Sequence, residues 1–292
     1  MKLLVIGHSV VDHVNDEIKP GGIYYSVTGL YNFKNKNDEI SLITSVGDDT
    51  YFHFENLYTK INNELIQKTE AVPEVFLHQY ETGEREECYS NLTEKLIISS
   101  EINFEMFDGI LINMITGFDI SLEDLKFIRS KFGGPIYFDV HTFSRGIDKN
   151  NKRYFRKIPL IKEWLKNLDI VQVNETELLT ISNLTNEIEI ASEVLNYGVK
   201  CLVVTKGEKG ASIYLKENST IIYKNVEAIS LASINKIGCG DIFGTVFFYS
   251  YIKSGIFDKA LTIANIAAGL STTYSSFEEY KNLKNDADKL IN

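Results

Sequence analysis

Positive charge is the first thing this sequence is short of: 30 Lys and Arg stand against 40 Asp and Glu, a formal net charge of −10. Non-specific binding to nucleic acid needs a cationic surplus to displace counterions, so that class is disfavoured. An acidic chain can still hold a nucleotide, because local backbone donors bind phosphate whatever the net charge. Cysteine is scarce as well. Cys88, Cys201 and Cys239 lie far apart with no C-x-x-C pair, which speaks against a disulfide framework or a zinc site and for a reducing compartment. No apolar run reaches membrane-span length, and Met1-Lys2 leads straight into the strand-like Leu3–Ile6 instead of a secretory signal. The expectation is a cytoplasmic protein with no membrane and no nucleic-acid partner. Internal repeats, low-complexity tracts, the P-loop pattern G-x-x-x-x-G-K-[ST] and the G-x-S-x-G elbow are absent too.

What is present has an ordinary globular balance, 44% apolar and 24% charged. At 292 residues one large domain with a small appendage fits. Short β-branched runs (Leu3–Ile6, Ile40–Val46, Gly109–Asn113, Pro135–Asp139, Ile170–Asn174, Cys201–Lys206) alternate with helical patterns. Those patterns cover Tyr24–Phe33, Tyr51–Lys60, Ser121–Phe132, Arg156–Leu168, Glu175–Ile181 and Glu187–Tyr197. Near-continuous apolar strands separated by helices predict an α/β fold, an open and mostly parallel sheet with helices on both faces. Two pieces break the rhythm. Residues 73–96 read as a β-hairpin with a polar tip at 81–84, and residues 12–22 read as an irregular piece ending in Pro20-Gly21-Gly22. Together they predict a small β lid on a single domain spanning residues 1–292. The tail, residues 278–292, reads as a polar helix docked at the surface.

Three local patterns carry candidate chemistry. In Gly238-Cys239-Gly240-Asp241 the glycines let amides converge at the start of an apolar helix, which stabilises an anion such as a transferring phosphoryl group. Asp241 in the first turn can accept a proton; the same residues also suit a plain helix start with an acidic dipole partner. A relaxed dinucleotide fingerprint through Gly244 is disfavoured, because no strong strand precedes it. Asn174-Glu175-Thr176-Glu177 is either a capping box or a holder of hydrated Mg²⁺. Thr205-Lys206-Gly207-Glu208-Lys209-Gly210 either lines a nucleotide or forms a β-turn.

In order, Asn-x-x-Glu, Thr-Lys-Gly-x-x-Gly and Gly-x-Gly-Asp resemble the ribokinase-like, or PfkB, family of carbohydrate and nucleoside kinases. The resemblance extends to Gly7-His8-Ser9-Val10-Val11-Asp12, Pro20-Gly21-Gly22, Val46-Gly47-Asp48-Asp49, Gly83-x-Arg85 and Asn265-Ile266-Ala267-Ala268-Gly269. It implies a ribokinase-like fold and an ATP- and Mg²⁺-dependent kinase acting on a small polyol, sugar or nucleoside. By that resemblance Asp241 is the catalytic base, and the amides of Gly238, Cys239 and Gly240 form the anion hole. Glu177 organises the metal through water. Asn174, Thr205, Lys206, Gly207, Gly210 and Asn265 contact the nucleotide. Asp12, Gly21, Gly22, Ser26, Arg85 and Arg145 face the acceptor.

The chain departs from the family pattern in three places. Sugar kinases of this family carry Asp-Thr-Thr where Asn235-Lys236-Ile237 stands, which puts activation by a monovalent cation in doubt; Lys236 either replaces that cation or points to solvent. The asparagine that follows the glycine pair is Ser26. The Gly-Gly-x-x-Tyr-Ser pattern, a short loop from Asp12 to Gly21 and the segment Asp139–Arg145 more resemble the inositol-kinase-like branch. A nucleoside kinase, with Tyr24, Tyr25 and Phe76 stacking on a base, and a catalytically silent ligand-binding protein on the same fold are the alternatives. The lid hairpin edge could pair across a homodimer.

Overall fold

The computed structural model describes all residues except 15, 16, 79–85, 219 and 292. The elements follow in chain order. The first third holds β1 (Lys2–Ile6), β2 (Ser9–Val14), β3 (Glu17–Gly22), α1 (Ile23–Phe33), β4 (Glu39–Gly47), α2 (Glu55–Tyr58), β5 (Ile66–Thr69), β6 (Glu74–His78) and β7 (Glu86–Asn91). The middle holds β8 (Gly109–Asn113), α3 (Leu122–Lys131), β9 (Ile136–Asp139), β10 (Arg145–Ile147), β11 (Arg153–Phe155), α4 (Ile161–Leu165), β12 (Ile170–Asn174), α5 (Glu175–Leu178) and α6 (Glu187–Asn196). The last part holds β13 (Cys201–Thr205), β14 (Ala211–Glu217), β15 (Thr220–Val226), α7 (Cys239–Ser254), α8 (Phe257–Ser271) and α9 (Leu283–Ile291).

Nine strands form the main sheet in the order β15-β14-β13-β12-β9-β8-β1-β4-β5. The strands from β5 to β13 run parallel, and β14 and β15 close one edge antiparallel. Burial on both faces explains the continuous apolar runs. Strand β1 sends Leu3 and Val5 into one core and Leu4 and Ile6 into the other, the two-residue period of a strand. The first core is closed by α1, α7 and α8 through Val27, Leu30, Ile242, Val246 and Ala264. The second is closed by α3, α4 and α6 through Leu125, Ile128, Trp164, Ile190 and Val194.

The residues expected to form a lid make a second, four-stranded sheet, β3-β2-β6-β7. Residues 12–22 are therefore a strand pairing, not an irregular piece: Asp12 lies opposite Lys19 and Val11 opposite Pro20. Proline is tolerated there because β3 is an edge strand. The expected hairpin is present as β6 and β7, while its tip and Arg85 lie outside the described residues.

Some helix boundaries contract. The stretch predicted over Arg156–Leu168 is helical only from Ile161, because Pro159 holds the residue before it extended. Leu160 then turns through φ 54 to start the helix. The stretch Tyr51–Lys60 splits into a 3₁₀ turn, Tyr51–His53, and the short α2. The C-terminal helix is likewise preceded by a 3₁₀ segment, Phe277–Asn282.

Candidate active site

Parallel strands place their C-terminal ends side by side, and in open α/β sheets ligands bind there. In this chain those ends carry Asn113 on β8, Asp139 on β9, Asn174 on β12 and Thr205 on β13. Asn113 is in register with Asp139, and Asn174 with Thr205. Helix α7 points its N-terminus at the same edge.

Gly238 precedes that helix with φ 79, a left-handed conformation that suits glycine. Its Cα also lies against the Tyr25 ring, where a Cβ would sit 2.1 Å from Cδ1. The first intrahelical bond runs from Ile242 N–H to Gly238 C=O at 2.9 Å. The Cys239 amide reaches back to Lys236 C=O at 3.5 Å; amides in a helix's first turn lack a partner four residues back and are the groups an anion can use.

Asp241 is buried, and its Oδ1 accepts a hydrogen bond from Asn113 Nδ2 at 2.6 Å. The same Asn113 amide lies 3.2 Å from Ser26 Oγ. Gln172 holds the loop from the other side. Its Nε2 donates to Gly240 C=O at 3.1 Å and to Asp139 Oδ2 at 2.9 Å, while its Oε1 accepts from Tyr137. Burial, with the carboxylates of Glu177 and Asp241 nearby, pushes Asp139 well above the usual carboxylate range.

Two cavities meet at this point. The larger, about 710 Å³, is lined by Asn174, Glu177, Thr205, Gly207, Gly210, Arg145, Asn265 and the Gly238–Asp241 loop. Ala228, Ile229, Leu231, Phe243 and Ala268 give it an apolar wall. The smaller, about 40 Å³, is lined by Asp12, Gly22, Tyr25, Ile115, Gly238 and Asp241, together with Val75 and Leu77 of β6. Glu87, His141, Gly238 and Asp241 belong to both walls.

Among the described residues, most sequence-derived candidates converge here, with three exceptions. Ser26 is 1% exposed and lines neither cavity; one turn into α1, it supports Asn113 from behind. Gly21 lies behind the Asp12 carboxylate, which passes so close that a Cβ would fall 2.1 Å from Oδ2. Lys206 turns away to Glu187, 2.7 Å from Oε1. Asn174 and Glu177 form a full capping box, with Asn174 Oδ1 accepting from Thr176 N and Glu177 N and Glu177 Oε2 accepting from Asn174 N. The cap and the cavity wall are the same residues. Lys236 points outward to Glu208 at 2.7 Å, and Asn235 Oδ1 accepts from Ile237 N at 2.9 Å.

Sequence reasoning missed an ion-pair group on the lid. Glu87 of β7 is 2% exposed and is gripped by Arg153 Nη1 at 2.5 Å and Arg145 Nη1 at 3.2 Å. It also missed Asn113 and Gln172; Asp139 and His141 stood within the segment Asp139–Arg145 already singled out by resemblance, from which only Arg145 was taken as a site residue. Asn113, Asp139 and His141 share a position at or just past a strand's C-terminal end, whereas Gln172 stands mid-strand in β12 and Glu87 and Arg153 gave no signal.

The chain matches the pfkB family carbohydrate kinases over residues 144–281. A ribokinase of Haemophilus influenzae is 29% identical over 119 residues, 39% of this chain. The chain spans 38% of that relative's length. Among solved structures, ribokinase from Thermotoga maritima superposes with a TM-score of 0.72 at 19% identity, over 100% of this chain and 99% of that one. A pyrophosphate-dependent kinase in the ribokinase family, complexed with a pyrophosphate analog and myo-inositol, gives 0.73 at 15% identity, over 94% and 96%. The fold is ribokinase-like across the whole chain, and its inositol-kinase-like members are among the neighbours.

Proposed function

We propose that the chain is an ATP-dependent kinase that transfers the γ-phosphoryl group to a hydroxyl of a small polyol or sugar. The observation that carries this reading is the place of Asp241, a buried carboxylate at a helix N-terminus in the shared wall of two cavities. ATP enters the larger cavity with its base against Ile229, Leu231 and Ala268 and its phosphates toward the α7 N-terminus. The acceptor enters the smaller cavity, where the Asp12 carboxylate can take two hydroxyl hydrogen bonds at once. Asn113 fixes the Asp241 rotamer, and Asp241 removes the proton from the attacking hydroxyl. The amides of Gly238, Cys239 and Gly240 take the charge that develops on the phosphoryl oxygens. Val75 and Leu77 on the lid exclude water that would compete as acceptor.

Glu177 and Asn174 are oxygen donors on the cavity wall, of the kind Mg²⁺ takes. Among the described residues no group of three or more Asp, Glu, His or Cys side chains forms a metal cage. Water and phosphate oxygens would therefore complete the coordination. Bound there, the ion would neutralise charge on the β- and γ-phosphates. The lid edges β3 and β7 are the strands through which two copies could pair. A nucleoside acceptor is disfavoured, since the Tyr25 ring is packed beneath Gly238 and against Phe277, 5.1 Å between centroids.

The test is ADP release with ATP and Mg²⁺ across D-ribose, D-fructose, myo-inositol and adenosine, with pyrophosphate as a second donor. Polyol- or sugar-stimulated ADP release is expected. If ATP binds but no acceptor stimulates release, the chain is a silent ligand-binding protein and the kinase reading fails. Turnover with pyrophosphate alone would replace the donor.

A further inference from the structure

We propose that Gln172 is a positioning residue for phosphoryl transfer, holding the first turn of α7, with Asp241 and the anion-hole amides, in fixed register with the nucleotide-binding end of β12. The inference rests on the kinase reading above and adds a residue that none of the site's sequence motifs contains.

The residue type comes first. Strand β12 reads Ile170-Val171-Gln172-Val173-Asn174, and a strand covered on both faces is ordinarily apolar along its length. Ile170, on the same face as Gln172, packs into the core that α7 closes. Gln172 itself is 3% exposed. An amide buried there costs free energy unless its hydrogen bonds are made, and here they tie two strands to a helix end.

The partners set the orientation of the amide. Gly240 C=O, 3.1 Å away, can only accept, so Nε2 faces it whatever charge Asp139 carries. The second Nε2 hydrogen goes to Oδ2 of Asp139, its cross-strand neighbour on β9, at 2.9 Å. The Tyr137 hydroxyl donates to Oε1. Both hydrogens of Nε2 are thus spent inside the protein. Gln172 lines the larger cavity, yet it has no hydrogen left to offer a phosphate, and its role is to position rather than to bind.

What Gln172 holds matters for the chemistry. The Gly240 carbonyl shares one rigid peptide plane with the Asp241 amide. Gln172 therefore grips the backbone of the base, while Asn113 of β8 grips its carboxylate at 2.6 Å. Two residues further along β12 stands Asn174, on the wall of the larger cavity. One strand thus carries a proposed nucleotide contact and the brace for the base. Helix α7 lies directly on that brace: a Cβ on Gly244 would sit 3.0 Å from Gln172 Oε1 and 3.1 Å from the Tyr137 hydroxyl. The close approach gives Gly244 a packing reason in place of a dinucleotide fingerprint.

The experiment compares wild type, Gln172→Met, Tyr137→Phe and the double variant, with ATP and Mg²⁺ and with D-ribose, myo-inositol and adenosine as probe acceptors. Methionine keeps the length of glutamine without its hydrogen bonds, and Tyr137→Phe removes only the hydroxyl that orients the amide. In Gln172→Met, kcat per folded enzyme should fall on the order of 10²-fold, the scale for a misplacement of about 1 Å. KM for ATP and for the acceptor should stay within about threefold. Tyr137→Phe should lose about five- to tenfold in kcat, and the double variant should be no slower than Gln172→Met. A Gln172→Met enzyme that melts lower but keeps kcat within about threefold marks a purely structural role and overturns the assignment. So does a raised KM for ATP at unchanged kcat, which marks direct binding, or a double loss equal to the product of the single losses. Should Gln172→Met not fold, a Tyr137→Phe enzyme within about twofold of wild-type kcat overturns it alone. A wild type inactive on every probe overturns the kinase reading and this assignment with it.

Discussion

Replacing Gly238 and Gly240 separately by alanine should break the protein in two different ways. At 238 the added Cβ meets the Tyr25 ring at 2.1–2.7 Å, and φ is 79. Tyr25 is itself 4% exposed and packed on Phe277, so the ring has nowhere to retreat. A left-handed non-glycine residue costs about 1–2 kcal/mol. Overpacking a filled site adds about 1–3 kcal/mol. Gly238→Ala should therefore lose roughly 2–5 kcal/mol, a large part of the ~5–15 kcal/mol that holds a typical domain together. For a chain of this size that lowers the melting temperature by roughly 5–20 °C. At 240 the nearest atom to an added Cβ is Gln172 Nε2 at 4.0 Å, so the fold has room for it. Alanine is the better helix former by up to ~1 kcal/mol, and Gly240→Ala should melt at or slightly above wild type. Gly240 nevertheless lines the larger cavity, and its amide belongs to the proposed anion hole. A methyl there crowds the phosphoryl site, and turnover should fall on the order of 10²-fold or more. Thermal melts alongside steady-state ADP release separate the two effects. A stable Gly238→Ala protein, or a Gly240→Ala enzyme with normal turnover, would refute the reasoning.

Asp241→Asn should lower kcat on the order of 10²–10⁴-fold while ATP binding, followed by calorimetry, changes little; near-normal turnover would remove Asp241 from the role of base. Asp12→Asn keeps the side-chain shape but exchanges a two-hydroxyl acceptor for an amide. It should cost about 10–100-fold in kcat/KM for the acceptor and leave KM for ATP alone. With Asn235 capping Ile237 N and Lys236 paired to Glu208, rates in potassium, sodium and choline buffers should agree within about twofold. Strong potassium activation would sink that expectation. Away from the site, burial opposes ionisation of Asp38, but hydrogen bonds from the Met1 amino group, Tyr249 and Lys253 hold its pKa at about 2. A lowered carboxylate pKa stabilises the fold above the unfolded value of about 4, and that stabilisation is lost as pH falls towards the folded value. Asp38→Asn should thus lower the melting temperature at pH 7 and do so progressively less below about pH 4; a constant difference would refute the assignment.

How much of this could be read in the sequence depends on how local the physics is. The alternation of apolar runs and helical patterns identified the α/β sheet, because a strand buried on both faces cannot hide its composition. The capping box at Asn174 and Glu177 was equally readable, since a helix start is written in four consecutive residues. So was the Gly238–Asp241 loop. The helix predicted over Arg156–Leu168 failed for a reason that was also local, Pro159, whose effect on its predecessor outweighed the apolar spacing around it. The strand pairing of residues 12–22 stayed hidden because Pro20 looks like a breaker until β3 is known to be an edge.

The unread part of the site is non-local in every case. Asn113 and Asp241 are 128 positions apart, Arg153 and Glu87 are 66 apart, and Gln172 reaches Gly240 across 68. Each contact exists only because sheet register sets which strand ends stand together, and no short pattern encodes register between distant strands. Ser26 shows what this does to a motif carried over by position. The glycine pair leads to it at the expected spacing, yet the residue lies beneath the site, because Asn113 from another strand takes hold of Asp241. The motifs locate the helix ends proposed to bind phosphate. Which side chains orient the base and hold the acceptor is decided by partners that the sheet brings in from elsewhere, so acceptor choice should follow substitutions at Glu87, Asn113 and Arg153 more closely than changes within the glycine loops.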